Sequence, residues 1–503
     1  MNPGRGERRL LEVAVVVAIA AVAHGSLLGA WFQPFDDPQL LEATLTGADP
    51  TPHFRPLLTL WLKVLWHAFG ENAGAWYATG IALHVGSSLL VGAVAVALGA
   101  RPRERILASA SFAALAAPSE AVAWLAASCG LLSVFFVLVA LACYVRHLRS
   151  GRRAPLLVAV AAAALAAGAK EDAIALLPLV VALTALHFGR GRLFTRAALL
   201  RVAPFAAVAA LHLVLAFDPS IWSERPDVGR YGYGVESVGR TLSSVFALAW
   251  PRRISMTHPP GFAPFVGAAI VALVLVTATR VRTARPALLV GSLAVLVGVV
   301  PVLPGPFEAP SASRYGYPSA IGVGWIVAGL LIAMRSELGP RLSRIGLVVV
   351  SVWVAASTVA VHSTVEWRHV RRSLRFEALV DATAAALDDA AAAPAGRPLL
   401  FVAPDVWNPM DFASAVRVFL RDRRPVVERA DLDVALFEGG ARGSFAEVFA
   451  HNRVLALGED GRWRHVLGVD DAPLDAWRAA AAANAIHGSA TVVPAIAVTL
   501  AAK

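Results

Sequence analysis

The amino-acid sequence predicts a polytopic α-helical membrane protein of about eleven transmembrane helices, with a small soluble α/β domain at its C-terminal end. Three observations carry that expectation. Hydrophobic residues make up 57% of the 503 and charged residues 16%, with a mean hydropathy of +0.63, whereas soluble globular chains are about 25% charged. Apolar runs long enough for a bilayer recur through the first 362 residues. Charge is also divided unevenly: residues 363–503 carry 16 basic and 18 acidic side chains, leaving 29 and 17 in the rest. The net charge of +10 therefore belongs to the membrane body, where loop charge sets topology, and not to a nucleic-acid footprint. The sequence divides accordingly into a membrane domain, 1–365, and a soluble domain, 366–503.

A bilayer core of about 30 Å needs roughly 20 apolar residues per helix. Runs near that length lie at 10–32, 74–98, 106–118, 129–145, 154–169, 173–188, 197–217, 262–279, 286–304, 319–334 and 345–362. The shortest, 106–118, 154–169 and 173–188, are Ala-rich and closely coupled to a neighbour. The first run has no convincing cleavage site and reads as a span, not a signal peptide. With the N-terminus in the cytoplasm, the connections MNPGRGERR, GARPRER, RHLRSGRR, GRGRLFTR, RVRTAR and RSELGPRLSR, together with Arg201, hold 20 of the 29 basic residues. That bias is the positive-inside pattern. It needs 237–250 to lie in the interface without spanning, and it places the C-terminal domain outside the cytoplasm. The location is then the cell membrane, with membrane lipid as one partner.

Ionisable residues beside membrane helices are costly and mark functional candidates; here they gather on the outer connections. The first outer loop, 33–73, holds Asp36, Asp37, His53 and Arg55, and its segment Leu57–Phe69 reads as an interface-parallel helix. An Asp there is either a general base or a helix cap before Pro38. Glu120 follows Pro118 at a new helix start, where the helix dipole alone favours a carboxylate. Lys170, Glu171 and Asp172 stand between two apolar helices, either pairing with one another or facing an anionic ligand. Arg314 and Tyr315 precede the tenth span, as a headgroup anchor or as a phosphate site. His84 and His212 lie within apolar helices and read first as hydrogen-bonded bundle residues. Cys129 and Cys143 are the only cysteines, so neither a disulfide framework nor a zinc site is expected. No GxxxxGK[ST], HExxH or GxSxG motif occurs, which leaves an ATPase, a zincin or a serine hydrolase without support.

The order of short motifs is more specific than any one of them. Asp36-Asp37 after the first span, HFRPLL, a His-bearing second span, PSEAVAW, KEDA and SRYGYPS together resemble the GT-C class of membrane glycosyltransferases. The likeness is nearest to the protein O-mannosyltransferase superfamily and to transmembrane mannosyltransferases with tetratricopeptide repeats, over residues 10–365. It implies an inverting transfer of a hexosyl, first a mannosyl, group from a polyprenyl-phosphate donor to an acceptor hydroxyl of a protein, lipid or polysaccharide. Asp36 or Asp37 would be the base, with Glu120 beside it in the catalytic set. His53, Arg55, His84, Lys170, Glu171, Asp172, Arg314 and Tyr315 would bind or orient substrate. No cofactor is expected, a divalent metal being left open. The sequence departs from the family at Tyr77 and Gly80 in the second span, at Ala117, and at Ser128 and Gly130 before Leu131-Leu132. No period near 34 residues appears after residue 363, so the repeat array is absent. A transporter or flippase, with charges at mid-membrane, and a non-catalytic scaffold are the alternatives.

In the soluble domain, 366–391 reads as an amphipathic helix. Strands are expected at 398–404 and near PVVERAD, a helix around FASAVRVFLRD, and a hairpin from Val454–Leu457 and Trp463–Leu467.

Overall fold

The computed structural model describes residues 5–34, 36–47, 54–116, 119–216, 236–303 and 309–391, and the short segments 399–402, 414–415, 418–420, 453–457 and 463–465. The chain forms two units, one of residues 1–30 and 51–370, the other of residues 31–50 and 371–503. The first outer loop is thus shared between them.

The first unit is helical. Among the described residues, nine helical stretches are long and apolar enough to cross a membrane: Arg9–Gly29, Ala73–Ala97, Leu125–Ser150, Glu171–Phe188, Arg196–Ala216, Ala263–Arg280, Arg285–Val302, Arg314–Glu337 and one that begins at Gly339. The protein is a multi-pass helical membrane protein. Its helices are α1 (Arg5–His24), α3 (Pro56–Phe69), α4 (Ala73–Ala97), α5 (Pro102–Ala113), α6 (Glu120–Ala123), α7 (Ser128–Ser150), α8 (Arg153–Ala169), α9 (Leu176–Phe188) and α10 (Arg196–Ala216). They continue with α11 (Glu236–Ala249), α12 (Ala263–Arg280), α13 (Arg285–Val299), α14 (Tyr317–Glu337) and α15 (Gly339–Val365).

Two of the eleven expected spans are shorter than that standard. Helix α5 has 12 residues and α8 has 17, about 18 and 25 Å at 1.5 Å per residue. Helix α5 starts where the Glu104 carboxylate accepts the Arg101 N–H at 2.6 Å, and it ends at Ala113, short of Pro118. Helix α11, the segment expected in the interface, is 14 residues long, about 21 Å. Its Ala247 packs with Ala309 and Ala312.

Close helix approach is set by small residues and by indole donors. A Cβ on Gly322 of α14 would come within 2.3 Å of the Gly291 carbonyl of α13, so the two backbones meet only because both positions are glycine. Trp325 of α14 donates its indole N–H to the Val91 carbonyl of α4 at 3.1 Å. Close to that contact Arg105 pairs with Glu12, and Arg335 pairs with Glu104. Both carboxylates are thereby satisfied away from water.

In the second unit α2 (Asp37–Thr46) follows the aromatic pair Trp31-Phe32, and α16 spans Arg371–Ala391. The Trp31 N–H donates to Ser373 Oγ at 3.1 Å, and the Trp31 ring lies 5.4 Å from Phe376 and 4.5 Å from Phe419. Phe376, Leu379 and Val380 form the buried stripe of α16. Strands β1 (Leu399–Val402), β2 (Arg453–Leu457) and β3 (Trp463–His465) form one sheet in that order. Strands β1 and β2 are parallel, with Leu399 opposite Arg453, and β2 and β3 form an antiparallel pair with Leu455 opposite His465. The strand expected near PVVERAD and the tail 487–503 lie outside the described residues.

Candidate active site

Five separate stretches of the first unit bring their ionisable residues together. Arg55 stands directly before Pro56, which starts α3, and its guanidinium grips Glu171. Nε reaches Oε2 at 3.0 Å, while Nη2 reaches Oε1 at 2.7 Å and Oε2 at 2.8 Å. This fork is the strong form of a charge-assisted pair. Glu171 opens the 3-10 turn Glu171–Ala175, and Lys170 caps α8 in extended backbone. Lys170 Nζ donates to Asp172 Oδ2 at 2.7 Å, and Asp172 Oδ1 accepts the Ser133 hydroxyl of α7 at 3.1 Å. The three charges of this turn are therefore neutralised within the protein.

Tyr315 joins that group to a second. The Lys170 ammonium lies 5.8 Å from the Tyr315 ring, and the Arg314 guanidinium lies 5.0 Å from the same ring. Arg314 also rests on the Trp124 ring at 3.9 Å, a cation–π contact. Glu120 accepts the Arg314 backbone N–H at 3.1 Å and faces Arg253 Nη2 at 3.3 Å. Burial pushes the Glu120 carboxyl up, but Arg253, the Arg314 N–H, the Arg314 guanidinium and His369 outweigh it and hold it below the usual carboxylate value. Burial likewise works against the Lys170 ammonium, yet Asp172, with Cys129 and Glu171, holds it above the usual lysine range. Among the described residues no carboxylate lies within ion-pair distance of the Arg314 guanidinium. Its Nη2 donates to the Tyr315 hydroxyl at 3.4 Å. The cluster holds Arg55, Lys170, Arg253 and Arg314 against Glu120, Glu171 and Asp172. Among the described residues the cations of the cluster exceed its carboxylates by one, and Arg314 is the cation with no carboxylate at ion-pair distance.

The sequence candidates thus divide. Arg55, Glu120, Lys170, Glu171, Asp172, Arg314 and Tyr315 belong to one network. His84 is buried in the bundle, with Nε2 on the Ala113 carbonyl at 3.1 Å and Nδ1 on the Tyr317 hydroxyl at 2.8 Å. A carbonyl only accepts, so Nε2 carries the proton, and both ring nitrogens are used within the protein. Asp36 and Asp37 lie in the second unit. Asp37 is fully buried, and its Oδ2 accepts the Gln33 N–H at 2.9 Å. Asp36 precedes α2 with no side-chain cap bond, at a φ of 58°, the one positive φ of a non-glycine among the described residues. Held conformations of this kind cost of order 1 kcal/mol or more and gather at functional sites. His53 lies outside the described residues. No group of three or more His, Cys, Asp or Glu side chains suited to a metal occurs among the described residues.

Arg253, Trp124, Ser133 and Cys129, whose Sγ is 3.9 Å from Arg55 Nη1, are the members the sequence reading did not single out. Arg253 had one signal, as one of only nine basic residues outside the cytoplasmic connections.

No family model matches the chain, and no curated protein matches it in sequence. Among solved structures it is similar to the oligosaccharyltransferase of Archaeoglobus fulgidus in the apo form, with 12% identity and a TM-score of 0.48 over 88% of this chain and 69% of that one. It is also similar to ArnT from Cupriavidus metallidurans bound to undecaprenyl phosphate, with 15% identity and a TM-score of 0.46 over 91% and 94%. For ArnT in the apo state the identity is 16% and the TM-score 0.44, over 89% and 93%.

Proposed function

We propose that the chain is a glycosyltransferase of the cell membrane that moves a hexosyl group, mannosyl first among the candidates, from a polyprenyl-phosphate donor to an acceptor hydroxyl on the extracytoplasmic side. The observation that carries this reading is the charge distribution of the cluster. Arg55 and Lys170 are answered by Glu171 and Asp172, whereas among the described residues the Arg314 guanidinium has no carboxylate at ion-pair distance and rests on two aromatic rings. A planar cation presented in that way suits a phosphate oxygen. The ordered resemblance of the motifs supplies the reaction class.

In the proposed reaction the acceptor oxygen bonds to the anomeric carbon as the bond from that carbon to the phosphate oxygen breaks. The electron pair leaves with the lipid phosphate, and the acceptor proton passes to a carboxylate of the first outer loop. Asp37 is fully buried and Asp36 half-buried, which favours Asp36 as that base. Attack opposite the phosphate inverts the anomeric centre through an oxocarbenium-like transition state. Arg314 stabilises the charge that develops on the leaving oxygen. The acceptor hydroxyl belongs to a protein, a lipid or a polysaccharide.

Transfer of radiolabelled sugar from polyprenyl-phosphate donors, in membranes with matched protein levels, tests the reading. Asp36→Asn is expected to lose about a hundredfold or more, the usual weight of a general base. Arg314→Gln is expected to lose about as much, as for one oxyanion donor. Full activity of both variants would overturn the two assignments, and no transfer by the wild type from any such donor would overturn the function.

A further inference from the structure

Arg253 has no assigned role. It stands in Pro251-Arg252-Arg253, just after α11, and its Nη2 meets Glu120 Oε1 at 3.3 Å. The other oxygen of Glu120 accepts the Arg314 backbone N–H at 3.1 Å. Trp124, four residues after Glu120, lies under the Arg314 guanidinium at 3.9 Å. The segment 120–124 thus holds Arg314 at both ends, by its backbone through Glu120 and by its side chain on Trp124. Arg253 anchors that holder from a third segment. Glu120 and Arg253 are both largely buried, with side chains 13% and 12% exposed, so neither is a freely solvated charge. The groups that act on Glu120 are Arg253, the Arg314 backbone and guanidinium, and His369 in the π-helical segment Glu366–Val370.

We infer that Arg253 is a positioning residue, which fixes the Glu120 carboxylate and through it the backbone of Arg314, so that the Arg314 guanidinium is presented to a lipid phosphate. The inference rests on the proposed function and adds a residue to it. The contact is a single one at 3.3 Å, made as a point charge and not as a fork, so lysine can replace arginine here. That separates Arg253 from Arg55, whose bidentate grip on Glu171 a lysine cannot reproduce.

The test is binding of undecaprenyl phosphate to the full-length protein in detergent, measured as Kd across pH. Arg253→Gln is expected to weaken binding about tenfold, the weight of a charged hydrogen bond, and Arg253→Lys to restore most of it. With Arg253 gone, Glu120 takes up a proton at higher pH, so the acid limb of binding moves upward in Arg253→Gln and stays in place in Arg253→Lys. In a Glu120→Gln background, Arg253→Gln is expected to add little, because the two act as a unit. Arg253→Lys serves equally if Arg253→Gln fails to accumulate, since a shifted acid limb or a tenfold loss in the lysine variant contradicts the point-charge role. Wild-type binding with an unchanged Kd and acid limb in Arg253→Gln would overturn this assignment alone. No binding by the wild type at any pH would overturn the assignment together with the function it rests on.

Discussion

Lys170 and Asp172 illustrate how a residue pair can be costly and still informative. Both are buried, at 9% and 7% exposure, and meet at 2.7 Å. Two apolar groups of similar volume would often be as stable as such a pair, but removing one partner strands the other. Asp172→Asn is therefore expected to lower stability by about 3 kcal/mol, read as a drop in Tm in detergent. The double variant Lys170→Met with Asp172→Leu is expected to lose less than Asp172→Asn alone, and a larger loss would refute the pairing. The folded lysine value is raised, so the contribution is complete below the ordinary lysine value and is lost only as pH rises through the folded one. The wild-type Tm should accordingly show no share of this pair lost between about pH 6 and 9. These residues were legible in the sequence because three adjacent charges between apolar helices demand a reason. Arg253 was not, because a Pro-Arg-Arg turn beside an amphipathic helix is what a membrane surface carries anyway. Ser133 and Trp124 escaped for the same cause: their residue types are ordinary in a bundle, and only the fold places them under a charge.

At the scale of elements, apolar length was readable and helix length was not always so. The run 106–118 falls in a helix of 12 residues that begins earlier, at Pro102, and ends at Ala113, its start fixed by the capping Glu104. Helix contacts were out of reach altogether: glycines in α13 and α14 look like any glycine in a span until the backbones are seen to touch. One substitution at two sites separates packing from propensity. Gly322→Ala would place a Cβ 2.3 Å from the Gly291 carbonyl and 2.7 Å from Val295, an overpacking cost of about 1–3 kcal/mol. Gly239→Ala in α11 meets nothing within 4 Å and should instead gain about 0.5–1 kcal/mol from helix propensity. Opposite shifts of Tm are expected; a fall of equal size in both would mean that α13 and α14 do not pack in this register.

For the whole molecule the informative quantity is where charge lies along the chain. The arginines of the connections after α4, α7, α9, α12 and α14 recur at alternate helix ends, while Glu120, Lys170, Arg253 and Arg314 occupy the stretches between them. Alternation of this kind is what positive-inside bias produces when each intervening stretch crosses once. It requires α5 and α8 to complete crossings despite their length, which helices buried by neighbours can do by tilting or by thinning the bilayer around them. Cysteine labelling in intact cells measures this directly, in a Cys129→Ser, Cys143→Ser background. Ser150→Cys, at the C-terminal end of α7, and Ser255→Cys, beside Arg253, are both exposed positions. A membrane-impermeant maleimide is expected to label Ser255→Cys in intact cells, and Ser150→Cys only after the membrane is opened. Labelling of both from outside would mean that α7 does not separate the arginine-rich connection from the site. Labelling of Ser150→Cys alone would invert the protein, placing Arg314 and its neighbours in the cytoplasm, and the extracytoplasmic transfer reaction would fall with it.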